Sequence, residues 1–148
     1  MATVSRAFTK VTIVDRRPSP TYGYRAVHVI VEVLDRTVEI QVRTMLQHTW
    51  AELSEKLSDL VDPAIKYGGG PAHVKDLLLR SSSALGLVEE GERLLAEASR
   101  IMEEEQETEE TRQHLAAARA HLPGLKETLI ASLKATADSW IGDRKKGR

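Results

Sequence analysis

Three polar residues at alternate positions, Glu39, Gln41 and Arg43, have side chains suited to phosphate chemistry. A carboxylate can bind Mg²⁺ or accept a proton from an attacking hydroxyl, and an amide can hydrogen-bond a ribose or a phosphate. A guanidinium group forms forked hydrogen bonds to phosphate, although Arg43 could equally pair with Glu39 or Glu52. The same residue types are also ordinary on a solvent-exposed sheet face, so the pattern alone leaves both interpretations open.

Two runs of alternating apolar residues must position these side chains, and they predict an antiparallel β-hairpin preceded by a short strand over 11–14. Alternation of this length is typical of half-buried strands. We expect residues 26–34 and 37–44 to pair around a turn at Asp35-Arg36, with a helix over 45–59 packed on the valine face. A loop of three residues would place the valines of the first strand opposite Glu39 and Gln41, and the two strands would no longer share one apolar face. The predicted pairs are Val33 with Val38, Val31 with Ile40, and Val29 with Val42.

The same register predicts which polar residues face each other. It places His28 opposite Arg43 and Glu32 opposite Glu39. Like charges directly opposite are unfavourable, so the glutamate pair indicates a metal ion or a cationic partner. The alternative is a hydrated outer sheet face.

Three segments around the hairpin together resemble the second half of the synthetase domain of the RelA/SpoT family. They are GYRAVH at 23–28, EIQVRT at 39–44 and QHTWAELSEKL at 47–57. They follow the order of the family's G-Y-[RQ]-x-x-H, E-[VI]-Q-[VI]-R-T and W-A-x-L elements. The resemblance covers about residues 11–60, with KYGGGP at 66–71 as weaker support. Enzymes of this family transfer pyrophosphate from ATP to the 3′-hydroxyl of GDP or GTP and so make (p)ppGpp, the alarmone of the stringent response.

The resemblance implies roles for individual residues. Glu39 would be the catalytic residue and the ligand of Mg²⁺, and Tyr24 would stack on guanine, a contact worth about 1–3 kcal/mol in comparable sites. Tyr24 could also be an ordinary residue at a strand entrance, His28 a structural histidine, and Arg16 and Arg17 solvated loop charges. The expected substrate-binding residues are Tyr24, Gly23, Arg25, His28, Gln41, Arg43 and Arg17.

The sequence departs from the family pattern at two places. Pro20 and Tyr22 stand where the family often has Lys and Asn before its Gly-Tyr. No D-x-x-G-x-R element, whose Asp holds Mg²⁺ together with the Glu in the family, precedes Val11. The resemblance therefore predicts an N-terminally shortened synthetase domain that alone makes (p)ppGpp far more slowly than a complete enzyme.

Composition narrows the class of protein. The chain has 148 residues, enough for one domain with a sizeable core, and a net charge of −1, which indicates no general attraction for nucleic acid or membrane. The absence of cysteine excludes disulfides and thiolate zinc sites and fits a reducing compartment. We find no apolar run of membrane-spanning length and no signal peptide, so we expect a cytoplasmic protein without a membrane partner.

The rest of the chain predicts helices. Apolar residues recur at helical spacing between Val74 and Met102, and two further helices are expected over about 109–121 and 125–141, separated by Pro123-Gly124. KYGGGP is interpreted as a hinge rather than a phosphate cradle. We expect an acidic solvated face or turn at 103–110 and a frayed basic tail at 144–148.

These observations predict an α+β fold, an antiparallel or mixed sheet packed on helices and followed by an α-helical C-terminal half. Residues 1–62 would form the synthetase-like part, and 63–143 a helical extension that braces it or makes a homo-oligomer. The leading functional hypothesis is (p)ppGpp metabolism with GDP or GTP and ATP as substrates. The alternatives are a catalytically silent guanine-nucleotide-binding or oligomerisation module, and a toxin-like relative that uses another pyrophosphate acceptor.

Overall fold

A small antiparallel sheet begins the described part of the chain. The structure, a computed structural model, describes residues 10–104 and 108–146, and the side chains of 10–101 and 108–141. Strand β1 spans Val11–Asp15, β2 spans Val27–Val33 and β3 spans Arg36–Val42, in the order β1-β2-β3. Helices follow the sheet, so the predicted α+β class with a helical C-terminal half is confirmed.

The predicted hairpin exists, but its predicted register is wrong by two residues. Val31 pairs with Val38, Val29 with Ile40 and Val27 with Val42. The turn is Leu34-Asp35, and both residues have positive φ, 49° and 58°. A two-residue hairpin turn with two positive φ values matches the twist of the strands, and Asp tolerates this conformation better than Arg36 would. The shift is even, so every side chain keeps its predicted face.

Three helices and a short 3₁₀ segment form the second part. Helix α1 spans Met45–Leu60, the 3₁₀ segment spans Pro63–Tyr67, α2 spans Ala72–Glu104 and α3 spans Glu109–Lys146. The predicted break at Pro123-Gly124 is wrong, because α3 runs through both residues. A proline inside a helix removes one hydrogen bond and clashes with the preceding turn. Burial of Leu133 and Ala137 beyond the proline holds that part of α3 against the core and offsets the cost.

The main core lies among the helices rather than between helix and sheet. In α1 an apolar stripe is buried, and it packs with residues of α2, α3 and the 3₁₀ segment; its members are Leu46, Trp50, Leu53 and Leu57. The valines of β2 form a separate cluster with Val11. The prediction that α1 covers the valine face is therefore wrong, and Trp50 of α1 belongs to the core among the helices.

Two predictions fall wholly or partly outside what is described. Residues 105–107 of the acidic run and 147–148 of the basic tail lie outside the described residues, as do the neighbouring side chains over 102–104 and 142–146. Among the helices that are described, none combines the length and apolar character needed to cross a membrane.

Candidate functional site

The polar face of the hairpin brings a histidine against a carboxylate. His28 lies opposite Gln41, and Glu39 lies opposite Ile30, one step along the same face. His28 Nδ1 contacts a carboxylate oxygen of Glu39, and the histidine side chain is only 12% exposed against 46% for the glutamate. This contact fixes the imidazole and leaves the carboxylate open to an incoming ligand. The predicted pairing of His28 with Arg43 is wrong, since Gln41 occupies that position.

Tyr24 joins this pair to the end of β3. The Tyr24 and His28 rings meet edge to face with centroids 5.6 Å apart, and the Arg43 guanidinium carbon lies 5.3 Å from the Tyr24 centroid. A cation at that distance from an aromatic ring is attracted by the ring's quadrupole. Arg43 Nη2 also donates to Gln41 Oε1. The structure thus collects five of the predicted site residues into one group, the polar cluster: Tyr24, His28, Glu39, Gln41 and Arg43.

Two nitrogen atoms of the polar cluster are buried without a hydrogen-bond partner among the described residues. They are His28 Nε2 and Arg43 Nε. A buried polar atom left unpaired costs about 1–3 kcal/mol, and such atoms in native structures call for an explanation. The cluster therefore retains hydrogen-bonding capacity that the described protein groups do not use.

An open cleft adjoins the polar cluster. It has a volume of about 430 Å³ and is lined by Gln41, Arg43, Thr44, Met45 and His48. This size lies within the usual range for small-molecule sites. Its position beside Gln41 and Arg43 gives a ligand access to the amide and guanidinium groups at the end of β3.

The other predicted substrate-binding residues, Gly23, Arg25 and Arg17, lie outside the polar cluster and hold the β1–β2 loop in place. Arg25 Nε donates to Ser82 Oγ at 3.2 Å, and Arg25 Nη1 donates to the Arg17 carbonyl at 2.5 Å. The Gly23 carbonyl accepts a 2.6 Å hydrogen bond from Ser82. These contacts give the three residues structural partners, while their contact with a substrate stays a prediction.

Arg17 also forms a forked ion pair with Asp15. Arg17 Nε and Nη2 lie 2.9 and 2.6 Å from the two carboxylate oxygens. Hydrogen bonding from Arg17 lowers the pKa of Asp15, and the same pairing raises the pKa of Arg17. An arginine already paired in this way is less available to a phosphate than the resemblance implies.

The start of α1 is held by a capping box and by a carboxylate from α2, and the sequence indicated only the capping box. Thr44 caps the helix, and Gln47 completes a capping box with it. From α2, the Glu89 carboxylate accepts from Thr44 Oγ1 at 2.6 Å and from Gln47 Nε2 at 2.9 Å. The T-x-x-Q spacing predicts the capping box. No local pattern predicts that Glu89 contacts Gln47, 42 positions earlier, and Thr44, 45 positions earlier.

The residues of the cluster fit Mg²⁺ only together with phosphate. Glu39 is the sole carboxylate of the polar cluster. Glu32 lies across from Thr37 in the sheet, not across from Glu39, and it forms an ion pair with Lys10 at 2.5 Å. The predicted Glu32–Glu39 pair is therefore wrong. Over the described ranges no group of three or more His, Cys, Asp or Glu side chains could hold a metal. Mg²⁺ often binds through one or two carboxylates plus substrate phosphates, and Glu39 is exposed enough for that arrangement.

Comparison with known proteins gives a short match to mycobacterial relatives. The chain is 46% identical over 57 residues to an uncharacterized protein of Mycobacterium bovis and equally to one from each of two Mycobacterium tuberculosis strains. The match covers 38% of this chain, and the chain spans about a fifth of the length of these curated relatives (21%). No family model matches the chain, and no solved structure does.

Proposed function

We propose that the polar cluster binds the acceptor nucleotide of a RelA/SpoT-like pyrophosphate transfer, with GDP or GTP as the acceptor. The observation that carries the proposal is the contact of His28 with Glu39 beside Tyr24, Gln41 and Arg43. In this proposal the Tyr24 ring stacks on the base and the Glu39 carboxylate accepts from the hydroxyl. The Gln41 amide bonds the ribose, and the Arg43 guanidinium binds a phosphate.

Glu39 is the proton acceptor in this proposal. The 3′-oxygen of the acceptor bonds to the β-phosphorus of ATP, the bond from that phosphorus to the α,β-bridging oxygen breaks, AMP leaves with that oxygen, and the hydroxyl proton passes to Glu39. His28 acts as a positioning residue, because its Nδ1 contact holds the carboxylate. Mg²⁺ held by Glu39 and phosphate oxygens would neutralise phosphate charge.

Arg43 must move for a base to stack on the ring face that it covers. A separation of 5.3 Å between the guanidinium carbon and the Tyr24 centroid leaves no room for another ring between them. On moving, Arg43 would lose its cation–π contact with Tyr24 and gain a contact with a phosphate oxygen of the nucleotide whose base stacks there. This exchange keeps the charge near Tyr24 and supplies the phosphate contact that the chemistry needs.

A second candidate function is guanine-nucleotide binding without catalysis. The single carboxylate of the polar cluster favours it, because transfer from ATP needs a triphosphate held in line and neutralised. Both candidates belong in the cytoplasm, where the nucleotides are, and both are compatible with a homo-oligomer.

Calorimetric titration of GDP or GTP into the purified chain tests the binding step. Tyr24→Ala should weaken binding about tenfold to a hundredfold, because stacking is worth about 1–3 kcal/mol per base. Tyr67→Ala is the matched control, since Tyr67 is 78% exposed and lies outside the polar cluster. Equal affinity of Tyr24→Ala and parent would refute the base platform.

Incubation with labelled ATP, GDP or GTP and Mg²⁺ tests catalysis. Because Glu39 is the sole carboxylate of the polar cluster, we expect (p)ppGpp to form slowly, since orientation of the reactants supplies about 7–11 kcal/mol in well-organised sites. Glu39→Gln should abolish any product that does form. Robust product that survives this substitution would remove Glu39 from the proposed role.

A further inference from the structure

Strand β3 is a free edge of the sheet in the part of the chain that the structure describes. It pairs with β2 along one side only, and all 7 of its residues are exposed. Its pairing runs from Arg36 to Val42 without a bulge, and its sequence RTVEIQV contains neither lysine nor proline. Natural edge strands usually carry such features because a regular edge invites pairing with another strand. The free side of β3 is therefore suited to a further strand.

The hairpin turn determines which backbone groups of β3 face this free edge. Val33 and Arg36 flank the two-residue turn, and the residues that flank such a turn are joined by a hydrogen bond. Hydrogen-bonded and non-hydrogen-bonded pairs then alternate along an antiparallel ladder. The even-numbered residues of β3 therefore bond to β2. Its odd-numbered residues turn their N–H and C=O groups to the free edge: Thr37, Glu39 and Gln41.

Two polar side-chain groups on β3 are unused and complementary. Glu39 contacts His28 through Oε1, and Gln41 accepts from Arg43 through Oε1. Among the described residues, neither Glu39 Oε2 nor Gln41 Nε2 has a hydrogen-bond partner. An amide N–H that donates to a carboxylate forms a charge-assisted hydrogen bond. A second copy of β3 offers each of these two groups the partner that it lacks.

The side chains of β3 favour one register for an antiparallel pair of two copies. Odd-numbered residues must meet odd-numbered residues, since only these point to the edge. A pair centred on Glu39 sets two like charges directly opposite, which is unfavourable. A pair centred on Val38 sets Arg36 against Ile40 on the apolar face, and one centred on Gln41 leaves only a short overlap. A pair centred on Ile40 gives only compatible contacts: Ile40 with Ile40, Val38 with Val42, and Glu39 with Gln41.

We propose that two copies of this chain pair through β3, antiparallel and with a two-fold axis at Ile40, so that their two three-stranded sheets become one. Strand addition at a sheet edge draws affinity from main-chain hydrogen bonds and specificity from alternate side chains. The partner's Gln41 donates to Glu39, so each polar cluster includes a residue from the other copy. A carboxylate has about four lone-pair sites, and Glu39 can still accept from a further ligand. This inference does not depend on the proposed nucleotide chemistry.

Disulfide trapping tests the pairing, because the chain contains no cysteine. Opposite residues of a non-hydrogen-bonded pair have Cα atoms about 4.5 Å apart, which lies within the range that a disulfide spans. Paired thiols face each other at an effective concentration in the millimolar range. At micromolar chain concentration, mild oxidation of Ile40→Cys should therefore give a covalent dimer at least about tenfold faster than oxidation of Val38→Cys.

Val38→Cys is the matched control, because Val38 lies on the same face of the same strand and is 42% exposed against 39% for Ile40. The proposed register separates the two copies of residue 38 by about 14 Å, too far for a disulfide. Circular dichroism checks that both variants keep the fold of the parent. Equal rates for the two variants, or a faster rate for Val38→Cys, would overturn the proposed pairing.

A double variant distinguishes this edge from other surfaces that could bring two copies together. Leu87 of α2 is 75% exposed and lies on a different element. Adding Leu87→Glu to Ile40→Cys should leave the rate of covalent dimer formation unchanged. Loss of the cross-link in the double variant would show that α2 rather than β3 brings the copies together, and it would overturn the inference.

Discussion

Substitution of Gly23 by alanine separates a structural role for this glycine from a role in ligand approach. A Cβ atom at position 23 would lie 2.8 Å from Trp50 Cζ2 and 3.2 Å from Ser82 Cβ. Trp50 is 3% exposed and anchored by a 3.0 Å hydrogen bond to Leu78, so it cannot move aside freely. The backbone at Gly23 also has φ 89°. Both effects act against any side chain at this position.

The expected cost is the sum of two contributions. Forcing an L-residue into the left-handed region costs about 1–2 kcal/mol, and overpacking a well-packed core costs typically about 1–3 kcal/mol. We therefore expect Gly23→Ala to lower the free energy of unfolding by about 2–5 kcal/mol. For a chain of this length, that corresponds to a fall in Tm of roughly 4–20 °C.

Urea unfolding followed by circular dichroism measures the effect, and Gly124→Ala is the control. Gly124 lies inside α3 with nothing within 4 Å of a built Cβ. Alanine there should raise stability by about 0.5–1 kcal/mol, because glycine is a poor helix former. Opposite signs are thus expected for the same chemical change. An unchanged urea midpoint for Gly23→Ala would refute the packing argument and leave ligand approach as the reason for glycine.

Three further predictions concern the frame of the site. Asp15→Asn should cost at most about 1 kcal/mol at pH 7, since the pair with Arg17 is partly exposed. Arg17 lowers the pKa of Asp15, so the stabilising effect of the pair is full above the ordinary range of aspartate and is lost as pH falls through the lowered value. A difference in unfolding free energy between the parent and Asp15→Asn that does not shrink as the pH is lowered would contradict this. Glu89→Ala should destabilise the chain by about 1–3 kcal/mol by unpairing the buried Gln47 amide, and thermal unfolding no different from that of the parent would count against it. An exposed stripe on α2, made by Leu79, Leu87, Leu94 and Ile101, should cause self-association that Leu87→Glu disrupts; light scattering that gives a monomer mass for the parent at tens of micromolar (a range set by weak-dimer affinities) would refute this.

The sequence predicted strand faces better than strand pairing. Alternation at 27–33 and 36–42 determines which side chains share a face, and the structure confirms those faces. An even shift of register conserves the alternation, so no count of apolar pairs could distinguish Val33 opposite Val38 from Val31 opposite Val38. The choice depends on the backbone of Leu34 and Asp35, which the sequence Leu-Asp-Arg signals only weakly.

Long-range packing was the least predictable feature. Gly23 and Arg25 both meet Ser82, 59 and 57 residues further along the chain, and no local pattern announces these contacts. The continuity of α3 through Pro123 has the same origin, because burial of distant residues such as Leu133 outweighs a local propensity. Capping at Thr44 was predictable because Thr44 and Gln47 are three residues apart.

The corrected register strengthens the chemical argument rather than weakening it. In the predicted pairing, His28 faced Arg43, and Glu39 faced the like charge of Glu32. The observed pairing moves Glu32 away to Lys10, sets Glu39 beside His28, and leaves Arg43 past the last paired residue of β3, where it reaches Tyr24. The carboxylate that we propose as the proton acceptor gains a positioning partner, and a cation comes to the edge of a cleft. Because an even shift keeps all these side chains on one face, the turn at Leu34-Asp35 decides which polar groups meet without changing which ones are available.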